Sequence, residues 1–503
     1  MKARWILLIV LVPALLGSGL KITSEDAAGF SAVFQPDNPS IESLEGFSRT
    51  VLPDAGLGGT VGGPEYPIYR YLIAMPEGAS ADIEVDFEDR SFELSNPPYP
   101  RQPSNFKSRP APDFAYDQDK YDNYTPPEPV RVEYIGKLRG MDIGCVEIRP
   151  VYFDIASGAA HLRERIDFEI KFDAAPRPPR IPSEWATRLF SHELIWPTDL
   201  PDAPDLPSRY LIITDSAFLP GLSEFIAAKE RFGYRVTVAL ADTVAGSETE
   251  LKNYVQNAYD TWDNPPDYLL LVGDEDRVPT HEYSAGWDSH PSDQFYAMLD
   301  GADFLTDIAV GRFSVSNTTE LAAVVDKTLQ HMKYEYTSGG WLDRIVLPAC
   351  GTDGDYDLAM GTHRYGIDSY LDTAGFDIDT VFAYYGAGAA ELRAAINPGA
   401  CLVDYSGHGS ETGWSNPPLE ADEISTLTND GRPPVVISNA CLTNKFDHSS
   451  PCFGEAWIRE TGGGAVAHIG GSNSTLWDED DWWERAVFDA VFAEGYWTLA
   501  SLM

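Results

Sequence analysis

Two short polar stretches, each following an apolar strand, carry the residues best suited to chemistry. Leu402-Val-Asp-Tyr runs into Ser406-Gly-His408-Gly409-Ser, and Val435-Val-Ile runs into Ser-Asn-Ala-Cys441. A histidine beside a cysteine can take the thiol proton and leave a thiolate nucleophile. The glycines leave room for a substrate backbone, and the amides of Gly409 and Cys441 can donate to an oxyanion. The two stretches predict a cysteine nucleophile with a histidine base.

Each residue also has a plainer interpretation. A cysteine at a strand end is commonly a small buried apolar residue, and a histidine between glycines is commonly a turn residue. Their combination, 33 residues apart behind two apolar strands, favours catalysis. Five widely spaced cysteines do not make a disulfide scaffold, and no CxxC pair indicates zinc. By position we interpret the other four thiols as structural: Cys145, Cys350, Cys401 and Cys452.

The elements that must position this pair alternate between strand and helix. Apolar runs predict strands near 210–214, 235–240, 268–272, 308–310, 345–347, 380–382, 401–405, 435–437 and 465–469, and helical patterns separate most of them. Continuous apolar strands alternating with helices predict an α/β fold with a mostly parallel sheet covered on both faces. Ligands of such sheets bind beyond the carboxyl ends of the strands, where His408 and Cys441 are expected.

Export is predicted by residues 1–19. Lys2 and Arg4 precede an apolar run from Trp5 to Leu16, and small residues occupy 17–19. This layout is typical of a secretory signal peptide. The run is too short to cross ~30 Å of hydrocarbon as an anchor. We therefore expect a secreted or cell-surface protein with no membrane insertion after signal cleavage.

The rest of the chain divides by its pattern. Residues 20–172 read as short strands and predict a β-rich domain. Residues 173–208 contain eight prolines and three arginines, which predict an exposed linker. We divide the strand–helix alternation into two α/β subdomains, 209–343 and 344–503, the second carrying His408 and Cys441.

Composition limits the function classes. The chain has 503 residues, 43% of them apolar, which is enough for packed cores. Lys and Arg number 36 against 78 Asp and Glu, a net charge of −42. Binding to nucleic acid or to an anionic membrane needs a basic face, so we expect neither. An acidic surface suits solubility and divalent cations instead.

Longer motifs around the polar stretches resemble a known family. Tyr405–Trp414 and Ala440-Cys441 are similar to the caspase-like cysteine peptidases and, within them, to the gingipain family. Similar motifs follow at Gly273-Asp274, Asp307–Phe313 and Pro451–Ala456, and Tyr134–Gly140 with Pro150-Val-Tyr resembles the family's propeptide. The resemblance covers about 209–503. It implies a caspase-like, gingipain-type fold preceded by a propeptide, which makes the chain a zymogen. The family's catalytic domain continues past the helix near 482–494, whereas this sequence stops at Met503, so a fragment is one interpretation of the chain.

The resemblance also implies roles. Cys441 matches the nucleophile and His408 the general base and acid. Asp353 is the best match to the acidic residue that orients the histidine, with Asp355 and Asp357 as competitors.

Specificity follows from two further matches. Trp477 matches the tryptophan that walls the primary pocket, and Asp480 the acidic residue of the lysine-cutting relative. The arginine-cutting relatives carry another acid where this sequence reads Leu358-Ala-Met360. An acidic run at 478–481 also fits a solvated helix start favoured by the helix dipole.

Calcium is the expected structural cofactor, with no catalytic metal. Oxygen ligands at alternating positions in the acidic turn 300–307 suit this ion. The resemblance implies as ligands Asp274, Asp300, Asp303, Leu305 and Asp307, with backbone oxygens at Asp300 and Leu305.

The expected function is a secreted cysteine endopeptidase made as a zymogen, with proteins or peptides as substrates and basic residues before the cut. Two alternatives stay open. One is a sortase-like transpeptidase of the same family, in which an amine replaces water. The other is a calcium-stabilised surface binding protein with an inactive site.

Overall fold

The computed structural model describes residues 19–177, 183–197, 207–285, 288–336, 339–351, 356–496 and 498–499. The predicted signal peptide, apart from Gly19, lies outside this range. Contacts divide the chain into two units. The first comprises Met1–Pro103, Pro112–Asp205 and Asp300–Asp307, and the second Ser104–Ala111, Leu206–Leu299 and Ile308–Met503. Residues 104–111 therefore belong to the second unit, and residues 300–307 belong to the first.

Antiparallel strands make up most of the first unit. They run in the order β1 Leu20–Asp26, β2 Gly29–Phe34, β3 Ser40–Leu44, β4 Phe47–Val51, β5 Gly56–Gly58, β6 Tyr66–Met75, β7 Asp82–Glu93, β8 Val130–Leu138, β9 Met141–Ile148, β10 Val151–Asp154, β11 Ala159–Lys171 and β12 Leu194–Trp196. Two helices join them, α1 Gln118–Asp122 and α2 Glu184–Glu193. One sheet has the order β1-β2-β11-β10, with β7 also on β11, and the other has the order β12-β6-β9-β8, with β5 on β6.

The two sheets share one apolar core. Alternate residues of β2 and β11 are buried, and every residue of β9 is buried. Phe34, Ile73, Val146 and Ile166 lie in the same buried cluster. Such burial on one face of paired strands is the main stabilising term of a β domain. The β-rich character predicted for this part of the chain is present.

Residues 183–197 differ from the exposed linker that the prolines predict. Ser183 accepts a hydrogen bond from the amide of Ala186 and caps α2. β12 then pairs with β6 in parallel. Trp196 is fully buried and stacks on Phe172 with ring centroids 5.7 Å apart. Burial of a tryptophan outweighs the tendency of a proline-rich segment to stay extended. Two other parts of the predicted linker, 178–182 and 198–206, lie outside the described residues.

Two parallel sheets form the frame of the second unit. The four-stranded sheet has the order β14-β13-β15-β18 and the five-stranded sheet the order β20-β19-β21-β25-β26. Their strands are β13 Arg209–Thr214, β14 Arg235–Leu240, β15 Pro266–Val272, β18 Ala309–Phe313, β19 Arg344–Ala349, β20 Asp377–Phe382, β21 Leu402–Ser406, β25 Val435–Asn439 and β26 Ala467–Gly470. Short antiparallel pairs add β16 His281–Ala285, β17 Asp288–Ser292, β22 Gly409–Ser410, β23 Gly413–Ser415 and β24 Pro418–Glu420.

Helices connect the parallel strands. They are α3 Ser223–Arg231, α4 Ala241–Val244, α5 Glu248–Thr261, α6 Thr318–Lys333, α7 Tyr356–Gly366, α8 Asp372–Ala374, α9 Ala389–Ile396, α10 Phe453–Arg459 and α11 Trp477–Phe492. Polar caps set where several of them begin: Ser247 accepts from an amide of α5, and Asn317 accepts from two amides of α6. None of the helices in the described part of the chain has the length and apolarity needed to cross a bilayer.

The predicted α/β fold is confirmed, with one difference. Every strand predicted after residue 209 is present, and all strand pairs of both large sheets are parallel. These strands form two sheets, one before residue 344 and one from residue 344 onward, whereas the sequence pattern predicts a single mostly parallel sheet. The pattern of apolar runs shows which segments are strands, but sheet membership depends on pairing between distant segments.

Candidate active site

The two polar stretches leave the five-stranded sheet side by side. β21 and β25 are neighbouring parallel strands, and Ser406 lies opposite Asn439 at their carboxyl ends. The amide of Gly407 donates to the Asn439 carbonyl at 3.2 Å, which ties the two loops just before they diverge. His408 and Cys441, each two residues beyond its strand, therefore emerge at the same edge of the sheet, as the sequence predicts.

Gly409 is packed closely against the other loop. A Cβ atom at this position would lie 2.9 Å from the Cβ of Ala440 and 3.0 Å from the carbonyl oxygen of Cys441. Both distances are shorter than carbon contacts allow, so a side chain would push the loops apart. Glycine at 409 is required for the close approach of the two stretches.

His408 is half-buried, and hydrogen bonds to its carbonyl oxygen hold its loop in place. Its carbonyl oxygen accepts hydrogen bonds from the Tyr405 hydroxyl at 2.8 Å and from the Ser415 amide at 3.0 Å. The imidazole meets the ring of Trp477 edge to face, with centroids 5.2 Å apart. These contacts fix the main chain at 408 and place the ring against a wall of the neighbouring pocket.

Cys441 is buried, with 2% of its surface exposed. Its sulfur accepts the Thr475 amide at 3.3 Å and lies 3.9 Å from the Thr475 hydroxyl. Burial raises the pKa of the Cys441 thiol, and the hydrogen bonds from Thr475 oppose that rise. In this form the residue is held as a thiol, because a buried thiolate costs more than two weak donors return.

A lysine side chain fills the pocket beside Cys441. Lys107 belongs to the second unit, and its side chain has no exposed surface. Its ammonium lies 2.7 Å from Oδ2 of Asp480, 2.5 Å from the carbonyl oxygen of Asn439 and 4.7 Å from the ring centroid of Trp477. A buried ammonium needs a counter-charge and acceptors, and these three partners supply both.

The main chain at residues 105–107 pairs with residues 475–477 and then turns at Lys107. The Lys107 amide donates to the Thr475 carbonyl at 3.0 Å, and the Trp477 amide donates to the Asn105 carbonyl at 3.0 Å. Phe106 and Leu476 form an antiparallel bridge between them. Backbone pairing with a side chain in a pocket is how extended peptides bind to exposed strand edges. Residues 104–108 therefore occupy the site as a peptide would.

Comparisons with known proteins agree with this geometry. The family model described as Peptidase family C25 matches residues 203–503. The chain belongs to peptidase family C25. Lys-gingipain from Porphyromonas gingivalis is 28% identical over 97% of this chain, which covers 30% of that relative's length.

Solved structures agree with the fold. A protease structure is 27% identical with a TM-score of 0.55, covering 59% of this chain and 70% of its own. The Arg-specific cysteine proteinase gingipain R has a TM-score of 0.53 at 24% identity, covering 60% of this chain and 72% of its own. The gingipain resemblance found in the sequence and the gingipain-type fold are confirmed.

The apolar side of the pocket lies where arginine-cutting gingipains are expected to carry an acid. Ala359 and Met360 of this C25 chain are each 1% exposed and lie in the same apolar cluster as Trp477. A carboxylate could not be solvated there. The carboxylate that pairs with the ammonium of Lys107 is instead that of Asp480. Asp353, predicted to orient His408, lies outside the described residues.

The predicted calcium ligands face amide groups in this C25 chain. Asp303 accepts the amides of Lys137 and Leu305, each at 2.9 Å. Buried Asp307 accepts the amide of Asp300 at 2.7 Å and another from the 136–139 segment at 2.6 Å. Calcium requires converging oxygens, so these residues do not fit a calcium site in the form described.

Asp274, the fifth predicted calcium ligand, is engaged elsewhere. One of its oxygens accepts from Arg459 at 2.8 Å and from the Ser316 hydroxyl at 2.8 Å. Although burial opposes it, Arg459 lowers the pKa of Asp274. This carboxylate is an ion-pair partner within the second unit.

Two groups of site residues are not predicted by the sequence. Lys107 stands in a stretch rich in Pro, Tyr and Asp that reads as irregular chain. His363, Asp404 and Glu484 form a buried cluster whose members are far apart in the sequence. The only signal in the sequence is a charged residue inside an otherwise apolar run, as with Asp404 in Leu402–Tyr405.

Proposed function

We propose that the chain is the latent form of a secreted cysteine endopeptidase that cuts after lysine, with Cys441 as nucleophile and His408 as base. The observation that carries this proposal is Lys107, which occupies the pocket beside Cys441 on a peptide segment paired like a substrate. Family membership supports the chemistry, and the name of the relative Lys-gingipain agrees with the specificity. The signal-like residues 1–19 support export.

The proposed reaction uses the thiol and the imidazole in turn. His408 takes the proton of Cys441, and the thiolate attacks the scissile carbonyl carbon to form a C–S bond. The amides of Gly409 and Cys441 stabilise the oxyanion. The C–N bond breaks while His408 returns its proton to the leaving amine. Water then hydrolyses the thioester, which releases the new carboxyl end and restores the thiol.

Lysine fits the pocket better than arginine for a geometric reason. The compact ammonium of Lys107 lies over the ring of Trp477 and meets one carboxylate oxygen and one carbonyl oxygen. A planar guanidinium prefers two parallel acceptors. Ala359 and Met360, which share a buried apolar cluster with Trp477, carry no acceptor in their side chains that could serve as the second one.

Latency follows from the same contacts, because Lys107 excludes substrate from the pocket. Lys107→Ala in the full chain is expected to raise the hydrolysis of a lysine peptide at least ~10-fold over the uncleaved parent. The segment loses its ion pair with Asp480, the Asn439 carbonyl as acceptor and the contact with Trp477 at once, so its hold on the pocket weakens. Initial rates on a fluorogenic lysine peptide, with uncleaved chain verified by mass, measure this.

Arg109→Ala is the matched control, because it removes a cation from the same segment and leaves the pocket contacts in place. Its rate should equal that of the parent. Equal rates in the parent and in Lys107→Ala would mean that residues 104–108 do not block the site.

We also propose calcium as a structural ion of the form from which residues 136–139 have been released, since these amides engage Asp303 and Asp307 here. After cleavage between 173 and 208 and removal of the N-terminal part, calcium should raise the melting temperature. A hundredfold excess over Kd is worth ~2.7 kcal/mol. Asp303→Asn should erase the shift, while Asp276→Asn should keep it. A calcium shift that persists in Asp303→Asn places the ion elsewhere.

A further inference from the structure

A buried ionisable cluster lies directly behind the pocket and has no role in the reaction proposed above. His363 on α7, Asp404 on β21 and Glu484 on α11 are each at most 1% exposed. The His363 Nδ1 and Glu484 Oε1 atoms are 2.7 Å apart, and Asp404 hydrogen-bonds to Glu484. Buried carboxyls without a structural counter-ion are costly and commonly mark function.

The cluster reaches the pocket through one residue. The Asn439 side-chain amide donates to Glu484 Oε2 at 2.5 Å. The main-chain carbonyl of the same residue accepts the Lys107 ammonium at 2.5 Å. Glu484 is therefore separated from the pocket cation by a single residue, which is itself 5% exposed. Of the two oxygens that accept this ammonium, one belongs to Asp480 and the other to the residue that Glu484 holds.

We propose that Glu484, supported by Asp404, is a specificity-positioning residue of the primary pocket: it holds the Asn439 carbonyl against the lysine ammonium and adds buried negative charge beneath it. This inference rests on the proposed function, in which the pocket receives the lysine before the cut.

The charges around the cluster agree with such a role. Burial raises the pKa of Glu484 to about 8 and lowers the pKa of His363. Lys107 opposes the rise for both carboxyls, whereas Asp481 on the same helix adds to the rise for Glu484. His363 Nε2 lies 2.9 Å from the Pro348 carbonyl and donates to it, which leaves Nδ1 facing Glu484. A cation in the pocket and loss of a proton from the pair therefore favour each other, and this coupling is reciprocal.

The same three side chains are also a donor set for a divalent metal. The hydrogen bond from Asn439 to Glu484 gives the cluster a purpose in the pocket that a metal site would not explain. We therefore argue for positioning and make a bound metal an outcome of the test.

The test compares two substrates that differ only in the residue before the cut, lysine or norleucine. In the full chain carrying Lys107→Ala, assayed above pH 8 where Glu484 is ionised, Glu484→Gln should lower kcat/KM for the lysine peptide about 10-fold, chiefly through KM. The norleucine peptide should change less than twofold. Asp489→Asn, the same type of change on the same helix, should leave the ratio of the two kcat/KM values unchanged. Glu484→Asp should recover part of the loss.

If Glu484→Gln fails to fold, the chain carrying Lys107→Ala alone provides a second measurement. The deprotonated cluster binds a cation better, so the lysine-to-norleucine ratio should rise as the pH rises through about 8. A flat ratio would overturn the inference.

Two further outcomes also count against it. One is an unchanged ratio in Glu484→Gln. The other is a stoichiometric divalent metal in the purified protein that this substitution removes. A Lys107→Ala chain without hydrolysis, or without preference for lysine, would instead refute the proposed function.

Discussion

Cys441→Ala is expected to abolish peptide hydrolysis, lowering kcat by at least ~10⁴-fold in the chain freed of its block by Lys107→Ala. The proposed route passes through a bond between the sulfur and the substrate carbonyl, and alanine offers no atom for it. The change removes one buried atom whose contacts are confined to Thr475 and the surrounding loop, so the fold should persist. Initial rates on a lysine peptide, with circular dichroism as the check on folding, measure both.

His408→Ala serves as the companion variant, because it removes the base and leaves the thiol. Its hydrolysis should fall similarly, and the rate of Cys441 alkylation by iodoacetamide near neutral pH should fall as well. Cys452→Ala is the control for loss of a thiol, since burial raises the pKa of Cys452 strongly and makes it inert. Turnover that survives in Cys441→Ala would rule out Cys441 as the nucleophile, whereas a Lys107→Ala chain with no turnover at all would favour the inactive binding protein.

The sheet edge that carries His408 and Cys441 could be predicted because its signals are local. β21 and β25 are five-residue strands that begin with apolar residues and end in polar ones, which mark where each strand ends. Parallel strands bring their carboxyl ends to one edge, so adjacency of the two strands is enough to bring the two loops together. Gly409 was predicted for its freedom and its amide, and the structure adds its close contact with Ala440.

Lys107 could not be predicted, because nothing near it in sequence explains its burial. Its partners are Asp480 and Asn439, more than 300 residues away, and the backbone it pairs with is at 475–477. A lysine in an irregular stretch of chain is normally solvated. Glu484 is a similar case, since an acidic helix start at 478–481 reads as a solvated surface, although Asp481 and Glu484 on that helix are buried. Long-range pairing of charges decides both positions.

The segment 183–197 is a case in which a local signal in the sequence predicts the wrong structure. Its proline-rich surroundings predict an exposed linker, yet a capped helix and a paired strand form there. Local propensity is a weak guide where a large aromatic residue such as Trp196 finds a core to enter.

Asp480→Asn is expected to lower kcat/KM for lysine peptides about 100- to 1000-fold in the unblocked chain. An ammonium in the pocket would keep the Asn439 carbonyl and the face of Trp477 but lose its counter-charge, which is 2.7 Å away in the Lys107 complex. Removing one partner of a buried ion pair costs about 3–5 kcal/mol, and each 1.4 kcal/mol is tenfold. A peptide library that varies only the residue before the cut, together with kinetics on its best member, measures the effect.

Glu479→Gln is the matched control, because Glu479 is the adjacent carboxylate and accepts from Ser104 rather than from the pocket cation. It should leave the preference for lysine intact, and neither variant should slow the alkylation of Cys441.

The stability of the latent chain provides an independent measurement of the ion pair between Lys107 and Asp480. With Lys107 present, Asp480→Asn leaves a buried ammonium without its carboxylate and should lower the free energy of unfolding. With Lys107→Ala the same substitution should cost little, so the difference between the two costs isolates the pair. A pocket that prefers apolar or acidic residues, with equal costs in the two backgrounds, would instead make 478–481 a charged helix start.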